Sequence, residues 1–180
     1  MVLVRSQRKR MEKAPIVYST MCNIEVMAEG YVPSTQNYDA VDNVFFPDYA
    51  DSPLNLFPRC TLINPDSPDA AQTCNAKLLS FEWFVVSKSG QTAIYSNGVT
   101  TPEGYDVVTS GEYTGQLVVK TNGKVGVPRA MRFVGIYTED GYTYKFERSI
   151  PLTTNDVSLA SIELMIDADK ATVYNPLRMP

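Results

Sequence analysis

The chain has 180 residues, a formal net charge of −4, an apolar fraction of 44% and no histidine. This length fits one domain with extensions or two small domains, and the apolar fraction is sufficient for a real core. The acidic balance argues against a nucleic-acid partner, which requires a basic footprint. The missing histidine excludes Ser-His-Asp and Cys-His catalysis within the chain and removes the commonest metal ligand. We therefore expect a protein that is not an enzyme and uses no cofactor.

The first 13 residues are predicted to form an irregular basic arm. Its positive charge comes mainly from Arg5, Arg8, Lys9 and Arg10. No apolar segment of the kind found in a secretory signal follows them, and no stretch of the chain approaches the length of a membrane span. We expect residues 1–28 to comprise this arm and a first strand over 16–27, and residues 29–180 to form a β-sandwich domain with no membrane contact.

A long segment rich in Tyr, Asp, Pro and Asn follows, over residues 30–53. We predict an irregular loop with one short strand over 41–46, and loops of this length inside a compact domain are often functional. The segment is too aromatic for a disordered linker, and its aromatic residues lack the pattern of a core face. The sequence therefore predicts partner contacts by Tyr38, Phe45, Phe46 and Tyr49.

Period-two alternation marks the strands that come next, because side chains on a strand point alternately to opposite faces. The clearest case places Leu79, Phe81, Trp83 and Val85 on one predicted core face. An earlier strand over 56–63 contains a proline, which favours an edge position or a bulge. A turn-rich loop is predicted over 64–72.

Further strands are predicted over 91–95, 105–109 and 115–120. The dipeptide Asp140-Gly141 between 129–138 and 142–150 predicts a tight hairpin, with Tyr142, Tyr144 and Phe146 on its core face. A short helical turn near 156 and a strand over 162–166 complete the pattern. Seven to nine short strands with regular turn signals predict an all-β, antiparallel, immunoglobulin-like sandwich with Trp83 in its core.

Neither the cysteines nor the acidic pairs predict a metal site. The odd set Cys22, Cys60 and Cys74 has no zinc-binding spacing and is expected to be reduced, with a Cys60–Cys74 bridge as the open alternative. Three aspartate pairs could supply oxygen ligands to calcium, but turn formation is the favoured interpretation. These pairs are Asp48 and Asp51, Asp66 and Asp69, and Asp167 and Asp169.

Five segments, in this order, resemble structural proteins encoded by phages and prophages of gut Bacteroides-type bacteria. They are Phe46-Pro47-Asp48-Tyr49, Pro53-Leu54-Asn55-Leu56-Phe57-Pro58-Arg59-Cys60, Gly115-Gln116-Leu117-Val118-Val119-Lys120, Leu164-Met165-Ile166-Asp167 and Asn175-Pro176-Leu177-Arg178. The resemblance implies a non-enzymatic virion protein, associated with the tail or neck, that forms a homo-oligomer and contacts other virion proteins. It also implies assembly in the host cytoplasm, where thiols stay reduced.

Three alternatives remain open at this stage. The protein could decorate a capsid, or it could be a carbohydrate-binding module that attaches the particle to a host surface glycan through exposed aromatic rings. A hydrolase that uses two carboxylates is the residual alternative. For the virion role, subunit contacts are expected from the four basic residues of the arm and from the four aromatic residues of the 30–53 segment.

Overall fold

The computed structural model describes residues 16–27, 32–96 and 101–157. Within these residues the chain forms two β-sheets and one short 3-10 helix, Asn75–Lys77. The strands are β1 (Ser19–Val26), β2 (Thr35–Asp39), β3 (Val44–Phe46), β4 (Leu54–Asn64), β5 (Ser67–Thr73), β6 (Ser80–Ser87), β7 (Gly90–Tyr95), β8 (Tyr105–Val107), β9 (Leu117–Val119), β10 (Arg129–Glu139) and β11 (Tyr142–Asp156).

The first sheet has five strands. Its order is β1-β4-β9-β8, and β5 also pairs with β4. All of its pairings are antiparallel, and β1 pairs with β4 along its whole length. The predicted first strand is therefore an integral part of this sheet.

The second sheet has six strands in the order β3-β2-β11-β10-β6-β7. Four of its pairings are antiparallel, but β2 runs parallel to the end of β11, with Thr35 opposite Thr153. The prediction of a purely antiparallel fold is wrong for this one pair. A parallel pair requires a long crossover connection, and here most of the domain separates the two strands.

One hydrophobic core joins both sheets, as expected for a β-sandwich. Leu54, Leu56 and Leu117 enter it from the first sheet, and Trp83 and Phe133 from the second. The predicted core position of Trp83 is confirmed, since its side chain is fully buried. Its indole N–H donates a 2.7 Å hydrogen bond to the carbonyl of Gly115 and so ties the two sheets together.

The hairpin predicted at Asp140-Gly141 is confirmed. Both residues have positive φ values, 51° and 80°, which is the conformation that a two-residue primed turn requires. The flanking strands β10 and β11 pair in continuous register from Glu139↔Tyr142 to Arg129↔Leu152.

Two segments predicted to be largely irregular contain strands. In the 30–53 segment the short strand predicted over 41–46 is present as β3, and β2 is an additional strand; most of the 64–72 segment forms β5, which pairs with β4. The polar and turn-forming residues of β2 and β5 give no apolar alternation that would predict a strand. In β5, for example, every residue is exposed. Pairing with a neighbouring strand overrides weak β-propensity in both places.

Two residues assigned to core faces are exposed. Leu79 is 72% exposed because it precedes β6, beyond the rim of the core. Tyr142 starts β11 beside the turn and is also exposed, whereas Tyr144 and Phe146 are buried as predicted. Alternation thus gave the correct face but not the point at which the core ends.

Pro58 lies in the interior strand β4, but at this position β4 has a strand partner on one side only. Residues 57–60 of β4 pair with β1 on one side and with neither β9 nor β5 on the other. The buried side chain of Asn75 fills this gap: it donates to the Pro58 carbonyl at 2.7 Å and accepts from the Cys60 N–H at 2.9 Å. Proline is tolerated because no ladder donor is needed there.

Candidate interaction surface

The β2–β3 hairpin presents apolar side chains to solvent. Val41 is 78% exposed and Phe46 is 61% exposed, and Val44 is also exposed. We call these three residues the hairpin surface. Exposed apolar side chains that cluster on one element mark interaction sites more often than isolated ones do.

The strand register explains why two of these side chains point outward. Phe46 lies opposite Asn37 and Val44 lies opposite Asp39, so both share the outer face of the second sheet. Phe45 points to the other face and packs against Tyr38, with ring centroids 4.7 Å apart and the ring planes tilted by 41°. The hairpin therefore has apolar groups on both faces, and the outer ones have no covering layer among the described residues.

Local hydrogen bonds fix the tip of the hairpin. Asn43 has a φ of 55°, a left-handed conformation that Asn tolerates, and its side chain accepts a 2.8 Å bond from the Tyr38 hydroxyl. The Asp39 carboxylate accepts from the Val41 N–H at 2.8 Å. The position of Val41 at the tip thus follows from turn chemistry rather than from packing.

A buried glutamine anchors the base of the hairpin. Gln36 is 1% exposed, and its amide group donates to the Pro47 carbonyl at 2.9 Å and to Asn122 Oδ1 at 2.6 Å. Its Oε1 accepts from the Gly123 N–H at 2.8 Å and from the Thr154 hydroxyl at 3.4 Å. One side chain thereby joins the end of β3, the 122–123 loop and β11.

The network extends beyond β3 through Asn122. Its Oδ1 also accepts from the Tyr49 N–H at 2.8 Å, and its Nδ2 donates to Asp48 Oδ1 at 2.9 Å. That same Asp48 oxygen accepts from the Ala50 N–H, which is the turn-forming role favoured for this residue. The hairpin surface is consequently held on a satisfied polar base rather than on a free loop.

Tyr49 belongs to the core and not to the hairpin surface. Its side chain is fully buried, and its hydroxyl donates to the Pro33 carbonyl at 2.7 Å. The sequence predicts a partner contact for Tyr49, but a fully buried side chain is not accessible to a partner. Burial raises the pKa of Tyr49 to about 12, and the nearby Arg129 opposes that rise.

The chain segment that contains the hairpin surface is acidic. Residues 32–58 contain four aspartates and neither lysine nor arginine. A partner that meets this segment is therefore complementary if it is basic. The predicted arm residues Arg5, Arg8, Lys9 and Arg10 have that charge, but they lie outside the described residues.

The structure brings together three of the predicted contact residues and adds two others. Tyr38, Phe45 and Phe46 lie on one hairpin, and Val41 and Val44 join them. The sequence carried a signal for Val44 but none for Val41. Consecutive apolar residues at 44–46 put apolar groups on both faces of a short strand.

A second surface feature is a cavity of about 320 Å³ beside β4. The exposed ring of Tyr113 packs edge-on against Phe57, with centroids 5.7 Å apart. Arg59 lies over the Phe57 ring and forms a two-pronged ion pair with Glu25, at 2.6 and 2.8 Å. An exposed aromatic ring beside charged groups is a common composition for a polar-ligand site.

A third feature is an open groove of about 530 Å³, which Leu79 borders together with residues 109–111. Across the described part of the chain, no group of three or more Cys, Asp or Glu side chains is arranged to hold a metal ion. In the same residues, no helix is long and apolar enough to cross a membrane.

No protein-family model matches this chain, and comparisons with curated proteins and with solved structures found no significant match.

Proposed function

We propose that the protein is a non-enzymatic structural component of a phage virion, associated with the tail or neck, that acts through subunit–subunit contacts in a symmetric assembly. We further propose that its sandwich is immunoglobulin-like, a relation supported by the buried Trp83 between the two sheets. Its partners are further copies of this chain and other virion proteins, and its location is the particle after assembly in the host cytoplasm.

The observation that carries the proposal is the hairpin surface on its rigid base. Exposed Val41 and Phe46 stand on an element whose polar groups are satisfied internally through Gln36. Apolar groups presented on a rigid element bind at lower entropic cost than groups on a flexible loop. In a repeated assembly the same patch is used by every copy, so a small contact is multiplied.

The basic arm is the expected partner of the acidic segment that contains the hairpin surface. Residues 32–58 carry four aspartates without a lysine or arginine, and residues 5–13 carry five basic side chains. We propose that the basic arm of one copy lies along the hairpin of the next. Such a contact weakens as salt screens it, on the scale of a Debye length of about 8 Å at physiological ionic strength.

The test is the molar mass of the purified full-length protein, measured by light scattering over a range of concentration and salt, for wild type and for Phe46→Ser. Removing one exposed aromatic contact is expected to weaken self-association about 5- to 30-fold. The matched control is Leu79→Ser, which removes an equally exposed apolar side chain at the open groove and is expected to leave association unchanged.

The same measurement is made on a second variant, which lacks residues 1–13. Loss of association together with loss of its salt dependence supports the contact between arm and hairpin. A monomer at every concentration, or equal weakening by Phe46→Ser and Leu79→Ser, contradicts the role assigned to the hairpin surface. Absence of the protein from purified phage particles, measured by peptide mass spectrometry, contradicts the virion role itself.

A capsid decoration role is the near alternative, and the copy number of the chain per particle separates it from a tail or neck role.

The second class of function is glycan binding, which the cavity beside β4 favours. Tyr113 offers an exposed ring there, and Arg59 and Glu112 offer charged groups. An aromatic ring that stacks on a sugar, flanked by polar groups, suits a host surface glycan.

The glycan alternative predicts that host capsular glycans bind the wild-type protein and that Tyr113→Ala weakens this binding at least 10-fold. Tyr142→Ala is the control, since Tyr142 is similarly exposed but lies at the β10–β11 turn. Binding by isothermal calorimetry that Tyr113→Ala leaves unaffected contradicts the assignment of this cavity.

A further inference from the structure

The three cysteines, far apart in sequence, meet at one place in the first sheet. Cys22 in β1 lies directly opposite Cys60 in β4. Cys74 follows β5, and its backbone N–H donates to the Cys60 carbonyl at 3.0 Å. All three are free thiols; Cys60 and Cys74 are buried, whereas Cys22 is half-buried on an edge strand.

The backbone geometry identifies what kind of cross-strand pair Cys22 and Cys60 form. Both backbone groups of Cys60 point away from β1, because its N–H donates to Asn75 Oδ1 and its carbonyl accepts from Cys74. Cys22 and Cys60 are therefore a non-hydrogen-bonded pair, the type in which Cα atoms approach to about 4.5 Å and side chains are closest. That separation lies inside the range of disulfide bonds, about 4.4–6.8 Å.

We propose that Cys22 and Cys60 form a cross-strand disulfide when the protein meets a low-molecular-weight disulfide such as oxidised glutathione. The Cys22 thiolate attacks one sulfur of the oxidant, which releases the first thiolate and leaves a mixed disulfide on Cys22. Cys60 then loses its proton and attacks the Cys22 sulfur of the mixed disulfide, which releases the second thiolate of the oxidant. Two protein thiols are oxidised to one disulfide, and the oxidant is reduced to two thiols.

The surroundings of the thiols set the order of these two steps. A hydrogen bond between the two thiols lowers the pKa of Cys22 and raises that of Cys60, and Arg148 adds a nearby positive charge for Cys22. Burial raises the pKa of Cys74 to about 11. Cys22 is thus both the most accessible thiol and the one that forms a thiolate most readily, which makes it the site of first attack.

Cys74 is the competing partner, and its position argues against it. Its S–H donates to the carbonyl oxygen of Cys60, at 3.5 Å, so the Cys74 thiol faces the backbone of Cys60. Cys74 is linked to Cys60 by a main-chain hydrogen bond. Cys22, in contrast, lies directly opposite Cys60 in the β1–β4 ladder, where the two side chains are neighbours. The Cys60–Cys74 bridge considered from the sequence is therefore the less favourable link.

The experiment equilibrates the full-length protein with glutathione buffers of graded oxidation, then alkylates free thiols and measures intact mass and linked peptides. We expect wild type and Cys74→Ala to lose two hydrogens and to give a peptide that links Cys22 to Cys60. Cys22→Ser and Cys22→Ala are expected to give no such species, and both fold, because the replaced side chain is only half-buried.

Thermal melting of the same samples gives a second readout. Closing a loop of roughly 40 residues is expected to raise Tm by about 5–10 °C in oxidised wild type, with no rise in Cys22→Ser under the same conditions. A link that maps to Cys60 and Cys74, a glutathione adduct on Cys22 that never resolves, or three thiols that all remain free in the most oxidising buffer would overturn the proposal.

Discussion

At the scale of single residues, Gln36 is a buried polar side chain that joins distant parts of the chain. Its carboxamide makes four hydrogen bonds to three different parts of the chain, and it does so while nearly fully buried. Gly123 is required beside it, because a Cβ atom there would collide with the Thr154 side chain. A buried polar group of this kind stabilises only while all of its partners are present.

We predict that Gln36→Ala lowers the free energy of unfolding by about 2–4 kcal/mol, since the Gly123 N–H and Asn122 Oδ1 each lose a buried partner. Urea unfolding monitored by circular dichroism measures this change. The control is Asn37→Ala, one position along β2, where the side chain is exposed and accepts only a 3.5 Å bond from Asn155. An equal effect at both positions would contradict the role of the buried network.

Because Tyr49 is buried, we predict that the protein loses folding stability at alkaline pH. The pKa of Tyr49 is raised in the folded state to about 12, above the ordinary value of about 10, because burial disfavours the phenolate. The stabilisation it contributes is therefore complete below pH 10 and is lost as pH rises through 12.

The measurement is the free energy of unfolding of wild type and Tyr49→Phe between pH 8 and pH 11.5. At pH 8 the variant is expected to be less stable, because it lacks the hydrogen bond to Pro33. That disadvantage is expected to shrink or reverse, by about 1–2 kcal/mol, as pH rises above 10. A constant difference across this range rules out the assigned titration.

At the scale of elements, the strands differ sharply in how they are held. β5 has seven exposed residues and, among the strands that the structure describes, pairs only with β4, in an irregular register. β7 also has a single strand partner, but it places Ile94 in the core. Strands with little buried apolar surface open locally at low free energy.

We predict that the amides of β5 exchange with solvent through local opening, at least 100-fold faster than those at the centre of β10. Native-state hydrogen exchange read by mass spectrometry measures both sets. β7 is the matched comparison, since it is also a terminal strand but is anchored by Ile94, and it should be intermediate. Equal protection of β5 and β10 would show that β5 is held by more than its pairing with β4.

The same elements show how far the sequence alone leads. The hairpin at Asp140-Gly141 and the core position of Trp83 were predictable, because turn chemistry and alternation are local signals. The short strand predicted over 41–46 is present as β3, but β2 and β5 were not predictable, because strands with polar or exposed residues are stabilised by their neighbours and carry little pattern of their own. In the candidate surface, aromatic content alone pointed equally to Phe46, which is exposed, and to Tyr49, which is buried through contacts with distant residues.

At the scale of the whole molecule, both sheets contribute to one core, and Trp83 bonds across it. We predict that they unfold together. The fluorescence of Trp83, the single tryptophan of the chain, and the far-ultraviolet circular dichroism should give coincident urea transitions. Separate midpoints would mean that one sheet survives without the other.

The parallel pairing of β2 with β11 also bears on synthesis. Thr35 and Thr153 lie side by side although 118 positions separate them in the chain. At about 5–20 residues per second, β2 leaves the ribosome roughly 6–24 seconds before its partner strand exists. For that interval the β2–β3 hairpin lacks its strand neighbour, and until residues 122 and 123 emerge it also lacks most of the hydrogen bonds of its polar base, so a nascent chain that stalls before residue 122 presents the hairpin surface unanchored.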